Sequence, residues 1–284
     1  ICLLLDYYLG IFLYLSPSFN YNNSIEWHNV FVKNKALKSK VKQFIENGLG
    51  MDARIERLKK AFDGGEKHPF YISLFDEETA FSAKVTHSVY TWIGQSFYEP
   101  FCVMLGDLAG YEVKTQKKVL GSCNQDVENF LQSIEKNMNY IPNRAEEIKK
   151  LRKIVTPGNP EEHPDSTVDV YIVTPDKKEI LIDITTVGNN KKSFRALKQK
   201  TLRWTAMRLS QDINVDVNSF FAVPYNPYSD KLEGTDYDLW KEYYDRKDIL
   251  VGDELWKKVS NNIIGIKDID KIFKEVGKEL KKED

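Results

Sequence analysis

Two aspartates, Asp169 and Asp183, each lie inside a short apolar run, Val168-Asp169-Val170-Tyr171-Ile172-Val173 and Ile180-Leu181-Ile182-Asp183-Ile184-Thr185. Runs of this kind read as strands, and Pro175-Asp176-Lys177-Lys178 between them reads as a turn, so an antiparallel hairpin would set the two carboxylates side by side. Carboxylates on neighbouring strands are rigid, hard oxygen donors suited to Mg²⁺. A divalent cation held there can organise an attacking water and stabilise charge on phosphate oxygens. The backbone carbonyl of Ile184 is a candidate third oxygen, and Asp165, in His163-Pro164-Asp165, is an alternative to Asp169. Directly afterwards the charge balance breaks. No acid occurs between Asp183 and Asp212, while Lys191, Lys192, Arg195, Lys198, Lys200, Arg203 and Arg208 all fall there. Two strand-borne acids followed by a basic helix point to metal-assisted chemistry on a phosphodiester, with the basic segment facing phosphates.

The elements that must position these residues follow from hydrophobic period. From Asn29 to about Met138 the pattern is mostly helical. Glu77 to Leu108 reads as one long helix, or two joined near Pro100, with Phe81, Val85, Val89, Trp92, Ile93, Phe97 and Phe101 as its buried stripe. Helices are also expected over 124–137 and 143–154, the second closed by Thr156-Pro157-Gly158-Asn159-Pro160. The period then changes to strand for 168–173 and 179–185, returns to helix over 193–209, and gives a further strand over 217–223. Residues 237–280 read as helical, with a Lys/Glu tail. The expected fold is therefore α/β, a mixed central sheet flanked by helices with a helical N-terminal elaboration. Residues 29–284 are expected to form a single domain: a mainly helical part (29–142), the sheet and basic helix (143–236) and a helical C-terminal part (237–284).

Composition narrows the class. At 284 residues the chain can bury a sizeable core, and 41 Lys+Arg against 42 Asp+Glu argue against nonspecific coating of nucleic acid while allowing a local basic grip. The three cysteines, Cys2, Cys102 and Cys123, show no metal-ligand spacing, and the four histidines, His28, His68, His87 and His163, form no HExxH or HxH pattern. A disulfide framework and a zinc site are not expected, and the cytoplasm is the natural compartment. Segment 1–28 opens with an apolar stretch that lacks a basic leader and contains Asp6. It is too short and interrupted to read as a membrane span. The initial Ile, where Met would be expected, suggests an uncertain start, and the segment is assigned no function.

Pro164-Asp165-Ser166-Thr167-Val168-Asp169 followed by Leu181-Ile182-Asp183-Ile184-Thr185 resembles the PD-(D/E)xK nuclease motif. The run through Thr186-Val187-Gly188-Asn189-Asn190-Lys191 to Lys198, Leu202 and Trp204 resembles type II restriction endonucleases of the MjaII/TdeIII family. Trp92-Ile93-Gly94-Gln95-Ser96-Phe97-Tyr98-Glu99 also fits a restriction-enzyme pattern. The resemblance implies Mg²⁺-dependent cleavage of double-stranded DNA at a GGNCC-type palindrome to 5′-phosphate ends, by a homodimer, with a methyltransferase protecting the same sites. It implies Asp169 and Asp183 as metal ligands, with Glu99 assisting. A plain structural reading of Glu99 is the polar flank of a core helix. The motif expects a lysine two residues after the second acid, where this chain has Thr185. Lys191, Lys192 and Lys198 are the candidate replacements, and with Arg195, Arg203 and Arg208 they are the candidate DNA contacts. Two alternatives are a repair or junction nuclease of the same core and a DNA-binding protein with a degenerate site.

Overall fold

Three consecutive stretches in the middle of the chain have strand period, and they build the centre of a five-stranded sheet. The computed structural model describes residues 36, 38–63, 69–137, 139–185, 191–239 and 241–280. The chain divides into two units, Ile1–Phe44 and Ile45–Asp284. The first is helical over its described residues, and its opening segment 1–28 lies outside them. The sheet lies wholly within the second.

The strands are β1 (Glu112–Leu120), β2 (Glu162–Val173), β3 (Glu179–Ile184), β4 (Val217–Val223) and β5 (Ile249–Val251), arranged side by side in chain order. β1, β2 and β3 pair antiparallel, whereas β3, β4 and β5 pair parallel, so the sheet is mixed. The expected hairpin joins β2 to β3. Its turn is closed by Thr174, whose N–H donates to the Lys178 carbonyl at 3.0 Å, and Lys177 takes the positive φ of 66° that the reversal requires.

The helices of this unit are α1 (Met51–Asp63), α2 (Pro69–Leu74), α3 (Glu77–Trp92), α4 (Tyr98–Leu108), α5 (Gln125–Lys136), α6 (Arg144–Ile154), α7 (Lys191–Gln211), α8 (Asp253–Val259) and α9 (Ile266–Leu280). Helix α7 is the crossover between parallel strands β3 and β4. Leu202, Trp204, Met207 and Leu209 of α7 pack with Phe130, Leu131 and Leu151 of α5 and α6 and with Val168 and Leu181 of the sheet. A second cluster joins Phe194 of α7 to Phe221, Val223, Tyr244, Ile249 and Val251.

Between α3 and α4, residues Ile93–Phe97 form a π-helical turn. Pro100 has no N–H for the Ser96 carbonyl one turn earlier, and its ring crowds that carbonyl, so the helix widens there without ending. Of the expected buried stripe, only Phe97 and Phe101 are fully buried; α3 has no fully buried residue. Phe97 stacks on Phe101 with ring centroids 4.7 Å apart, and Phe101 meets Trp256 of α8 edge-on at 5.4 Å. Further along α4, a Cβ on Gly106 would stand 2.3 Å from Val113 Cγ2. Glycine there lets α4 lie close against β1.

Two elements differ from expectation. β1 falls inside the region expected to be mainly helical, and β5 inside the C-terminal region expected to be helical. β1 is an edge strand carrying Glu112, Lys114, Lys117 and Lys118, so its pattern lacks the apolar signal of the central strands. Charge on an edge strand blocks pairing with a further chain, and it also hides the strand from periodicity. β5 is only three residues long.

Candidate active site

The β2–β3 ladder reaches the Val170–Ile182 pair, and the next residues toward its open end are Asp169 and Asp183. On the other side of β2, Thr115–Val170 and Lys117–Val168 pairs bracket Gln116 opposite Asp169. Gln116, Asp169 and Asp183 therefore stand in one cross-strand row. The Ile184 N–H donates to Asp169 Oδ2 at 2.8 Å. Asp183 is buried at 6% exposure, while Asp169 is half-buried. Burial, and then the neighbouring Asp183 carboxylate, push Asp169 up to about 6 from the ordinary 3.8, against the opposing pull of the Ile184 N–H and Lys200.

A lysine does reach this pair. Lys200 of α7 forms an ion pair with Asp183 Oδ2, and its ammonium lies 5.0 Å from the Trp204 ring centroid. The cation expected beside the second acid thus comes from the crossover helix, at a position not among the candidate replacements. The one sequence signal for it is the four-residue spacing of Lys200 and Trp204, which lets an ammonium rest on an indole one turn away. Thr185, at the motif position, donates its N–H to the Ala222 carbonyl at 2.8 Å.

The other candidates are placed as follows. Lys198, expected as a replacement and a DNA contact, is wholly buried and ion-paired with Glu147 of α6 and Asp248. Arg144 joins this network through Asp248 at 3.1 Å. The physical reason is register: Lys198 falls between Phe194 and Leu202 on the buried stripe of α7. A cation there survives only if carboxylates meet it inside the core. Arg203 binds Glu128 through both terminal nitrogens, and Arg208 binds Glu179 at 2.7 Å through two nitrogens. Glu179 is at the far end of β3, about 13 Å from Asp183 at the strand rise. Arg195 lies over the Tyr243 ring at 4.4 Å. The side chains of Lys191 and Lys192, at the start of α7, lie outside what is described, as do residues 186–190 before them.

The acid-free stretch is therefore not a uniformly free basic surface. Lys198, Lys200, Arg203 and Arg208 all meet carboxylates brought from elsewhere in the chain.

Asp165 is exposed, and its carbonyl accepts the Trp204 indole N–H at 2.7 Å. Four residues from Asp169 along β2, it is not the acid placed in the row with Asp183. Glu99, at the start of α4 just past the π-helical turn, accepts a hydrogen bond from Gln116 Nε2 at 2.8 Å; the same nitrogen lies 3.4 Å from Asp169 Oδ1. Gln116 adopts φ of 49°. That left-handed conformation costs a non-glycine residue about 1–2 kcal/mol.

Among the described residues, no three His, Cys, Asp or Glu side chains are already gathered as a metal cluster. The donors nevertheless suit a hard divalent cation. Asp169 and Asp183 are mutually repelling carboxylates whose charge a cation would neutralise, and Glu99 is tied to the same row. Beside the row, a cleft of about 360 Å³ is lined by Asp165, Thr185, Ser193, Gln199, Lys200 and Arg203. No helix among the described residues is long and apolar enough to cross a membrane.

Comparison with known proteins shows the family. The family described as type II restriction endonuclease, HinfI, matches residues 33–277. The type II restriction enzyme MjaII of Methanocaldococcus jannaschii is 27% identical over 204 residues, covering 68% of this chain and 54% of its own length. HgiCII of Herpetosiphon aurantiacus is 24% identical over 220 residues, covering 75% and 78%, and HgiBI of the same organism is 22% identical over 202 residues, covering 69% and 72%. This chain thus spans about half the length of MjaII and about three quarters of the two Herpetosiphon enzymes. The family match takes in the whole sheet, both aspartate strands and the helix that brings Lys200 to Asp183, and the chain belongs to the HinfI family of type II restriction endonucleases.

Proposed function

We propose that this chain is a Mg²⁺-dependent, sequence-specific endonuclease that cuts double-stranded DNA within a palindrome of GGNCC type. The observation that carries the reading is the row of Asp169 and Asp183 with Lys200 paired to Asp183. Family membership supports DNA as the substrate. The GGNCC-type site rests on the motif resemblance between His163 and Thr205.

Asp169, Asp183 and the Ile184 carbonyl would hold Mg²⁺, with Glu99 assisting. When bound, the cation supplies Lewis-acid stabilisation of the phosphate oxygens and lowers the pKa of a water. Lys200 takes the part of the absent motif lysine. Its ammonium is fixed by Asp183 at the site, where it can donate hydrogen bonds to the attacking water and to charge developing on the phosphate. Water attacks phosphorus, the bond to the 3′-oxygen breaks, and the products are a 5′-phosphate and a 3′-hydroxyl. Thr185 cannot supply that positive charge, which makes a cation from α7 the economical solution. Of the DNA contacts first considered, Arg195 remains a candidate, together with Lys191 and Lys192. A homodimer would match the two-fold symmetry of the duplex, a separate methyltransferase would protect the host sites, and the reaction belongs in the cytoplasm where that DNA lies.

The test is digestion of a sequenced plasmid with Mg²⁺ against an EDTA control, with run-off sequencing of the ends. Discrete fragments that share one palindrome and carry 5′-phosphates are expected. Cutting that follows junctions or mismatches and ignores sequence would replace the reading with a structure-specific nuclease. DNA binding with no cleavage under any divalent metal would replace it with a binding protein.

A further inference from the structure

We propose that Gln116 is a positioning residue that tethers Glu99 to the aspartate row, holding this carboxylate where it can assist the two aspartates with the cation; this rests on the metal-site reading given under Proposed function. Gln116 belongs to no recognised motif and lies on β1, the strand that the sequence pattern does not reveal. Its amide nitrogen donates to Glu99 Oε1 at 2.8 Å and faces Asp169 Oδ1 at 3.4 Å.

Two physical features point to a role beyond stability. Gln116 is exposed, where a hydrogen bond competes with water, yet its backbone holds the left-handed conformation at φ of 49° that glycine or asparagine would adopt more easily. An exposed polar contact gives little return for such a conformation. The chemistry of the side chain supplies the second. A neutral amide offers two N–H groups and can join two carboxylates without cancelling their charge, whereas a lysine would neutralise them and compete with the cation. A glutamate would repel both. Glutamine therefore leaves the charge of Glu99 and Asp169 uncancelled while holding a distant carboxylate in place, and the one lysine of the site among the described residues pairs with Asp183 instead.

The supporting structure has the same sense. Pro100 and the π-helical turn set the rotation of α4 at Glu99, and the Gly106–Val113 approach fixes how closely α4 lies on β1. Gln116 then closes the last gap by hydrogen bonding.

The test compares Gln116→Gly, Glu99→Gln, the double variant and Asp183→Ala. Mn²⁺ binding to the free protein is read by electron paramagnetic resonance, and cleavage is read against Mg²⁺ concentration. Gln116→Gly should weaken Mn²⁺ binding and raise the Mg²⁺ half-saturation by about three- to tenfold, while the rate at saturating Mg²⁺ stays within about twofold. Its thermal midpoint should be unchanged or higher, because glycine relieves the φ of 49°, so lost folding cannot mimic the effect. The double variant should bind no more weakly than Glu99→Gln alone, because both substitutions remove one tether. Unchanged Mn²⁺ binding in Gln116→Gly, with binding lost in Asp183→Ala, would overturn the role of Gln116 and leave the aspartate site standing. Unchanged binding in both would remove the metal site itself and the inference with it. A lower saturating rate with unaltered metal binding would also overturn it, by making Gln116 a direct contact to DNA.

Discussion

Replacing Asp169 by asparagine should stabilise the metal-free protein above pH 6 while abolishing cleavage. In the folded chain, burial and then the Asp183 carboxylate raise Asp169 from 3.8 to about 6. The ionised form is therefore disfavoured by folding. This penalty is fully present above the folded value of about 6, shrinks as the pH falls through that value, and disappears below the unfolded value of 3.8. At 1.36 kcal/mol for each tenfold change in proton affinity, the full penalty approaches about 3 kcal/mol. Asp169 is only half-buried, and solvent screening reduces the expected gain to about 1–2 kcal/mol. Asparagine keeps an oxygen for the Ile184 N–H, so the backbone contact at 2.8 Å need not be lost. The assay is thermal unfolding of both proteins in EDTA between pH 4 and pH 8. The variant should unfold about 2–6 °C higher at pH 8, and the two curves should converge near pH 4. Saturating Ca²⁺ should close the gap at pH 8 by stabilising only the native protein. Equal midpoints across the whole range, or a variant less stable at pH 8, would refute the claim that an ionised Asp169 is costly there.

Lys200→Ala should lower the cleavage rate at saturating Mg²⁺ by about 10²–10⁴-fold and leave DNA affinity within a few-fold; single-turnover kinetics and a binding titration check this, and near-native cleavage would remove Lys200 from the chemistry. Lys198→Ala should instead cost about 3–5 kcal/mol of stability, because it leaves Glu147 and Asp248 buried without their cation, and a urea midpoint close to the native one would refute the structural role. Arg208→Ala should not change the salt dependence of DNA binding, since its guanidinium is occupied by Glu179; a slope reduced by about one would show that Arg208 reaches a phosphate after all. Gly106→Ala should force α4 away from β1, destabilising the fold by about 1–3 kcal/mol and raising the Mg²⁺ requirement, and a native melting curve with native metal dependence would show that the helix accommodates the methyl group freely.

The central hairpin and the helix that follows it are legible from local sequence alone. Apolar runs bounded by Pro175-Asp176-Lys177-Lys178 can bury only as paired strands, and that pairing sets Asp169 beside Asp183. Near Pro100 the sequence left one long helix or two joined helices open, and the structure shows two helices joined by a π-helical turn at Ile93–Phe97. Tertiary structure decided which cations are available. On α7, neighbouring lysines have opposite fates, because a helix turns about 100° per residue. Lys198 enters the core and Lys200 reaches the aspartates, yet composition and local charge treat them alike. Only the fold shows that Glu128, Glu179, Glu147 and Asp248 neutralise cations that stand in an acid-free stretch of sequence. β1 and Gln116 belong to the same class. An edge strand carries charge on its open side and so lacks a periodic apolar signal, and the link from Gln116 to Glu99 and Asp169 joins residues distant in the chain.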